Sequence, residues 1–157
     1  MGVGKTTTCQ ILKKKLDRAV FLDGDWCWDA DPFQVTEETK NMVEKNICFL
    51  LNQFLHCSAY ENVIFCWVMH EQSIIDSILS GIDCSACRVI SISLVCTPEA
   101  LKKRLQRDIE EGRRETGVLS RSLARIPLYQ ALHTKKIDVS GCTPEEAADQ
   151  IAGLWNE

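Results

Sequence analysis

Apolar runs and helical stripes alternate along the chain. Four short runs dominated by apolar residues are typical of buried strands and cover residues 19–22, 62–68, 89–95 and 136–139. Between and around them, apolar residues recur at helical spacing, as they do in residues 5–18, 36–55 and 71–79. Strands that are apolar throughout and alternate with helices predict an α/β fold, in which helices cover both faces of a parallel sheet.

Three threonines mark the expected helix starts. Thr36 precedes two glutamates, and Thr97 and Thr143 each precede a proline. A threonine caps the first free N–H groups of a helix, and proline is tolerated at the first helical position. In the helix that begins after Thr36, one stripe is predicted to be core: Met42, Val43, Ile47, Leu50, Leu51, Phe54 and Leu55.

Composition narrows the class of protein. The chain has 157 residues, 45% of them hydrophobic, and a net charge of −4, which fits one domain over residues 1–157. This balance argues against binding to a nucleic-acid polymer or, through a basic patch, to a membrane. Nine cysteines without a signal peptide indicate reduced thiols and a cytoplasmic protein. Cys84 and Cys87 have metal-ligand spacing, but buried or loop thiols are the simpler interpretation.

The segment from Gly2 to Thr7 reads Gly-Val-Gly-Lys-Thr-Thr and matches the end of the phosphate-binding pattern G-x-x-x-x-G-K-S/T, just before a helical stripe. In such a loop, backbone N–H groups surround the phosphates, and the helix N-terminus adds its dipole. Lys5 is expected to reach the β and γ phosphates, and the Thr6 hydroxyl to bind Mg²⁺. The predicted nucleotide-binding residues are Gly2, Val3, Gly4, Lys5, Thr6 and Thr7.

The phosphate-binding pattern is incomplete at its start. Its first glycine, and the buried strand that leads into such a loop, would precede Met1. We therefore interpret Met1 as an internal methionine and expect a longer natural polypeptide. On this expectation the sheet of the present chain lacks its first, central strand.

The chain resembles the P-loop kinases of nucleotides and small molecules over nearly its whole length. The loop of Gly2 to Thr7 carries this resemblance most specifically, and Phe21-Leu-Asp-Gly-Asp25 is similar to the acid pair of these kinases. The second half is similar to shikimate kinases, in a lid over about residues 104–125 and in Arg125-Ile-Pro-Leu-Tyr129. The resemblance implies the three-layer P-loop NTPase fold, with ATP and Mg²⁺ as cofactors.

Two departures argue against shikimate as the substrate. Shikimate kinases grip the substrate carboxylate with a glycine cluster after the third strand and an arginine after the acid pair. Here those places read Cys66-Trp-Val-Met-His70 and Trp26-Cys-Trp-Asp29. The acid-pair segment is also similar to adenylylsulfate kinases and chloramphenicol phosphotransferases. The resemblance therefore indicates the wider group of kinases more clearly than any one family within it.

Asp23 and Asp25 follow the first predicted strand and lie two residues apart, at the carboxyl edge where open α/β sheets bind ligands. We assign Asp25 as the base that activates the acceptor and Asp23 to the metal, with Thr6, and both acids to the substrate side. The simpler alternative is that both acids only form a turn.

Arginines between residues 104 and 125 are the candidates for binding phosphate. The resemblance points to Arg107 and Arg113 for phosphate contact during catalysis and to Arg125 for substrate or phosphate. The alternative is a surface helix in which Arg107 pairs with Glu111. Trp26 and Trp28 are candidates for stacking on a flat acceptor, although tryptophan is more commonly core.

These features together predict a kinase that moves the γ-phosphate of MgATP to a small-molecule or nucleotide acceptor. Two alternatives remain: a nucleotide-binding P-loop module without catalysis, and an inactive truncated fragment. The arginine-rich segment favours the kinase. Neither the acceptor nor the oligomeric state follows from the sequence, because acceptor pockets in this group are built from variable loops.

Overall fold

The computed structural model describes residues 2–115 and 117–154. Met1, interpreted above as internal, lies outside them, as does Thr116 in the predicted lid. The helices and strands are, in chain order, α1 (Lys5–Lys15), β1 (Ala19–Asp23), a 3-10 helix (Gly24–Cys27), α2 (Glu37–Leu55), β2 (Asn62–Cys66), α3 (Gln72–Ser80), β3 (Ile92–Val95), α4 (Pro98–Glu110), α5 (Val118–Ala124), α6 (Ile126–Ala131), β4 (Lys135–Asp138) and α7 (Pro144–Gly153). This is the predicted alternation of strands and helices.

The strands form two parallel pairs. β1 pairs with β2, with Ala19 opposite Asn62, and β3 pairs with β4, with Ile92 opposite Lys135. Among the described residues, no hydrogen-bonded strand joins β2 to β3. The prediction of parallel strands between helices is confirmed, and the four strands fall within a few residues of their predicted positions.

Two apolar clusters cover opposite faces of the strands. Leu22 of β1 packs with Val43, Ile47 and Leu51 of α2 in one cluster. Phe21, the neighbouring residue in β1, belongs to the other cluster, which contains residues of α1, α4 and α7. Successive side chains of a strand point to opposite faces, so one strand serves both clusters. Helices on both faces explain why β1 and β2 are almost wholly apolar.

The helix starts follow the predicted threonine caps. The Thr36 hydroxyl accepts a hydrogen bond from the Thr39 N–H, and the Thr97 hydroxyl accepts one from the Ala100 N–H. Thr143 forms a capping box with Glu146. One core prediction is wrong: Met42 is 44% exposed, because it lies at the edge of the α2 stripe.

No described helix is long and apolar enough to span a bilayer. All nine cysteines are free thiols. The described residues contain no group of three or more His, Cys, Asp or Glu side chains that could hold a metal, so Cys84 and Cys87 do not form part of such a cluster.

Candidate functional site

Two glycines shape the loop that leads into α1. Gly2 has a φ of 79° and Gly4 a φ of 85°, both in the left-handed region that favours glycine. Gly4 caps α1 without a side-chain hydrogen bond, so the N–H groups of the first turn remain available to a ligand. A helix N-terminus with available N–H groups attracts anions. The nucleotide-binding role of Gly2 to Thr7 stays a prediction.

Asp23 connects this loop to the end of β1. The Thr6 hydroxyl donates a hydrogen bond of 2.7 Å to Asp23 Oδ2, and the Asp25 N–H donates one of 3.1 Å to Oδ1. Cys66 Sγ, at the end of β2, lies 3.6 Å from the same Oδ2. Asp23 is only 5% exposed, so these contacts fix its carboxylate at the carboxyl edge of the β1–β2 pair.

The Thr6 and Asp23 side chains suit Mg²⁺. A threonine hydroxyl and a buried carboxylate, in direct contact, are both hard oxygen ligands. Mg²⁺ is commonly bound by one or two carboxylates together with water and substrate phosphates, so it needs no larger protein cage. These two residues could therefore hold Mg²⁺.

Asp25 lies at the start of the 3-10 helix, two residues beyond β1. Burial, and then the negative charge of Asp23, raise the pKa of the Asp25 carboxyl above its ordinary value. The positive charge of Lys5 and the neighbouring Trp67 side chain act in the opposite direction. A carboxyl group whose pKa is raised in this way is suited to take a proton from a substrate.

Trp67 and Gly24 explain how Asp25 is positioned. A Cβ atom on Gly24 would lie 2.4 Å from Cγ of Trp67, so the indole packs directly on the glycine backbone. Only glycine permits this contact. Trp67 therefore fixes the turn that carries both acids.

A cavity of about 450 Å³ lies beside the phosphate loop. Gly2, Gly4 and Thr7 line one side, and arginines of α4 and of the segment after it line another. The remaining wall comes from residues 139–147, between β4 and the first turn of α7. The loop and the predicted phosphate-binding arginines thus share one cavity.

The arginines of this cavity differ in their partners. Arg113 pairs with Asp108 at 2.9 Å and also with Glu111, and Arg114 donates to Asp108 at 3.1 Å. Among the described residues no carboxylate pairs with Arg107, so the proposed Arg107–Glu111 surface pair is absent. Arg107 therefore faces the cavity with its charge available to an anion.

Arg104, one of the arginines considered for phosphate binding, makes a structural contact. Its guanidinium donates to the carbonyl oxygens of Val139 and Ser140, which follow β4. This contact ties α4 to the segment that forms the far wall of the cavity.

Arg125 lies with a different group of residues. Burial lowers the pKa of His70, and the positive charge of Arg125 lowers it further. Burial raises the pKa of Tyr129, and the charge of Arg125 acts in the opposite direction. His70 follows β2, and Tyr129 is in α6. Arg125 is therefore close to His70 and does not line the cavity that contains Arg107 and Arg113.

Residues 1–125 match a protein family described as an AAA domain. The chain belongs to this AAA domain family. The match contains the phosphate loop, both acids and the arginines of α4. No curated protein matches the chain.

Solved structures share the α/β fold of this AAA domain. A sugar kinase from Janibacter sp. HTCC2649 is similar with a TM-score of 0.70 and 16% identity, covering 99% of this chain and 89% of that one. The tunicamycin resistance protein of Deinococcus radiodurans is similar with a TM-score of 0.66 and 16% identity, covering 96% of this chain and 90% of that one. At this identity the similarity concerns the fold.

Three residues of the AAA domain site were not predicted from sequence. Trp67 packs on Gly24, Cys66 contacts Asp23, and Asp108 holds two arginines. Trp67 and Cys66 lie near the end of an apolar run that predicts a strand. Their position near the carboxyl edge of that strand was a signal in the sequence that they lie close to the site. Asp108 carries no such signal, because it sits among charged residues of an ordinary helical face.

Proposed function

We propose that this chain is an ATP-dependent phosphotransferase that moves the γ-phosphate of MgATP to a small-molecule or nucleotide acceptor. The proposal rests on three features that lie together at the carboxyl edge of the strands. These are the free N-terminus of α1, the Thr6–Asp23 contact, and the Asp25 carboxyl with its raised pKa.

The phosphate loop supplies the donors for the nucleotide. Backbone N–H groups of the loop, with the dipole of α1, bind the phosphates, and Lys5 neutralises the β and γ groups. The residues with this role are Gly2, Val3, Gly4, Lys5, Thr6 and Thr7. Thr6 and Asp23 hold Mg²⁺, which when bound neutralises charge on the phosphates.

Asp25 acts on the acceptor. Its ionised carboxylate accepts the proton of the acceptor hydroxyl as that oxygen attacks the γ-phosphorus, and the bond to the β-γ bridging oxygen breaks. Arg107 and Arg113 stabilise the charge on the transferred group, within a lid over about residues 104–125 of a single domain. Arg125, in the segment resembling shikimate kinases, binds the acceptor together with Asp23 and Asp25.

A hydroxyl on a ring is the first acceptor to examine. One structural relative is a sugar kinase, and Trp26, which is 56% exposed, presents an aromatic surface next to Asp25. Aromatic rings pack well on the flat faces of small acceptors. We further propose a cytoplasmic protein, because free thiols persist in reducing compartments.

The test is ADP release from MgATP in the presence of a panel of sugars, nucleosides and nucleoside monophosphates. We expect release that depends on one acceptor class and is lost in Asp25→Asn. Asp29→Asn is the matched control, since Asp29 is an exposed acid of the same segment. Nucleotide binding without any acceptor-dependent release would favour the binding module. Equal activity in Asp25→Asn and Asp29→Asn would refute Asp25 as the base.

A further inference from the structure

Cys84 and Cys87 lie at the two ends of one turn between α3 and β3. The Cys87 N–H donates a hydrogen bond of 3.0 Å to the Cys84 carbonyl oxygen, which closes a four-residue β-turn. The first and last Cα atoms of such a turn lie within about 7 Å of each other. Disulfide-bonded cysteines have Cα atoms about 4.4–6.8 Å apart. The turn therefore holds these two free thiols at a separation that suits a disulfide.

A side chain of α2 holds this turn in place. The Asp83 N–H donates a hydrogen bond of 2.8 Å to Asn52 Oδ1, and Asn52 Nδ2 donates one of 3.0 Å to the Gly81 carbonyl oxygen. The Asp83 carboxylate accepts hydrogen bonds from the Ser85 hydroxyl and N–H, at 2.6 and 3.1 Å. The backbone on the amino side of the turn is thus fixed. Groups that are already held together react with each other faster than with a second molecule from solution.

The two thiols have different surroundings. Cys87 is exposed, whereas Cys84 is partly buried. Burial raises the pKa of the Cys84 thiol, and the negative charges of Cys87 and Asp83 raise it further. Hydrogen bonds from Ser85 and His56 lower the pKa of Asp83 to about 2, so this carboxylate is ionised at neutral pH. Because the thiolate is the reactive form, Cys87 is suited to react first with a molecule from solvent, and Cys84 second.

We propose that Cys84 and Cys87 form a thiol-exchange site, which a low-molecular-weight disulfide of the glutathione type oxidises to an intramolecular disulfide. The Cys87 thiolate attacks one sulfur of the small disulfide, which forms a mixed disulfide and releases one small thiolate. The Cys84 thiolate then attacks the Cys87 sulfur, which closes the protein disulfide and releases the second small thiolate. The two thiol protons pass through solvent to the released thiolates. The cysteine pair loses two electrons, and the small disulfide gains them.

This reaction is separate from the proposed phosphotransfer, because neither cysteine lines the cavity beside the phosphate loop. In a reducing compartment, protein disulfides are usually transient and act in catalysis or in redox sensing. Closure of the disulfide also removes the exposed Cys87 thiol from further reaction. The turn thus converts a modification of Cys87 into a disulfide that reduced glutathione can open again.

The test is incubation of the reduced full chain with oxidised glutathione, followed by peptide mapping without a reductant. Cleavage before Asp83 and after Arg88 gives a peptide that contains Cys84 and Cys87 and no other cysteine. We expect this peptide to be lighter by two hydrogen atoms and to carry no glutathione. Cys57, an exposed thiol outside the turn, is the internal control and should retain a bound glutathione. An excess of reduced glutathione should return all three cysteines to free thiols.

Two variants test the order of the two steps. In Cys84→Ser the second thiol is missing, so we expect glutathione to remain bound to Cys87. In Cys87→Ser we expect Cys84 to react with oxidised glutathione at least tenfold more slowly than Cys87 does in Cys84→Ser, because Cys84 is partly buried and its pKa is raised. Neither cysteine belongs to an apolar cluster of the core, and far-UV circular dichroism checks that each variant is folded.

Four results would overturn this proposal. Glutathione that stays on Cys87 of the unsubstituted chain would show that Cys84 does not complete the exchange. A disulfide from either cysteine to Cys57 would place the reaction outside the turn. A faster reaction of Cys84 than of Cys87 would contradict the assigned order. Modification of Cys57 with no reaction at Cys87 would show that the turn is inert. Neither nucleotide binding nor ADP release enters these measurements, so the two proposals fail separately.

Discussion

Replacement of Gly24 by alanine is the most informative perturbation of the acid-bearing turn. The added Cβ would lie 2.4 Å from Cγ, 2.6 Å from Cδ1 and 2.9 Å from Cβ of Trp67. Ordinary van der Waals contact begins near 3.4 Å, so the indole or the turn must move by about 1 Å. The nearest atoms belong to the root of the side chain and not to a flexible end, so rotation alone cannot relieve the contact.

We expect Gly24→Ala to lower the free energy of unfolding by about 1–3 kcal/mol, the usual cost of overpacking a buried site. The assay is urea unfolding followed by circular dichroism, and the midpoint should fall with little change in slope. Trp67 also lies beside Asp25, so acceptor-dependent ADP release should fall in the same variant.

Gly153→Ala is the control for this experiment. No heavy atom lies within 4 Å of a Cβ at Gly153, and this glycine ends α7, so alanine should leave stability unchanged or raise it slightly. In the double variant Gly24→Ala, Trp67→Leu the smaller side chain should recover part of the loss, with a coupling of about 0.5–3 kcal/mol. Equal stability of Gly24→Ala and Gly153→Ala would refute the packing of Trp67 on the turn.

Two further predictions concern the same site. Asp25→Asn should raise the melting temperature at neutral pH. The folded-state pKa of Asp25 is raised, so the ionised carboxylate destabilises the fold at any pH above that pKa. Calorimetric scans should show that the gain vanishes as the pH falls below the unfolded-state pKa of about 3.9. Arg104→Ala should lower the free energy of unfolding by about 1–3 kcal/mol in urea titrations, because the carbonyls of Val139 and Ser140 lose their donor, while Lys102→Ala, an exposed change on the same helix, should have little effect.

The pH dependence of transfer tests the role of Asp25 separately. The base must be ionised, so the rate should fall as pH decreases through the raised pKa of this group. The acid limb of the rate profile should therefore lie above the ordinary range of an aspartate. A limb at or below that range would contradict the assignment of Asp25 as the base.

The sequence was sufficient for the features that depend on local chemistry. Three features are encoded by neighbouring residues: the short apolar runs of the strands, the threonine caps followed by acids or proline, and the loop ending at Lys5. The structure has them within a few residues of their predicted positions. The carboxyl-edge position of Asp23 also follows from the strand before it.

Long-range contacts of the site could not be derived in this way. The packing of Trp67 on Gly24 depends on the register of β1 and β2, and register is a property of two distant segments. The pairing of Asp108 with two arginines likewise depends on how the chain turns after α4. The sequence therefore predicted the elements of the site better than the contacts between them.

Binding of MgATP to the phosphate loop tests the central claim most directly. Calorimetry with a non-hydrolysable ATP analogue should detect saturable binding that requires Mg²⁺ and weakens at least tenfold in Lys5→Ala. The control is Lys13→Ala, a lysine of the same helix beyond its first turn. Binding that is unchanged in Lys5→Ala, or that does not depend on Mg²⁺, would contradict a phosphotransfer site at the start of α1.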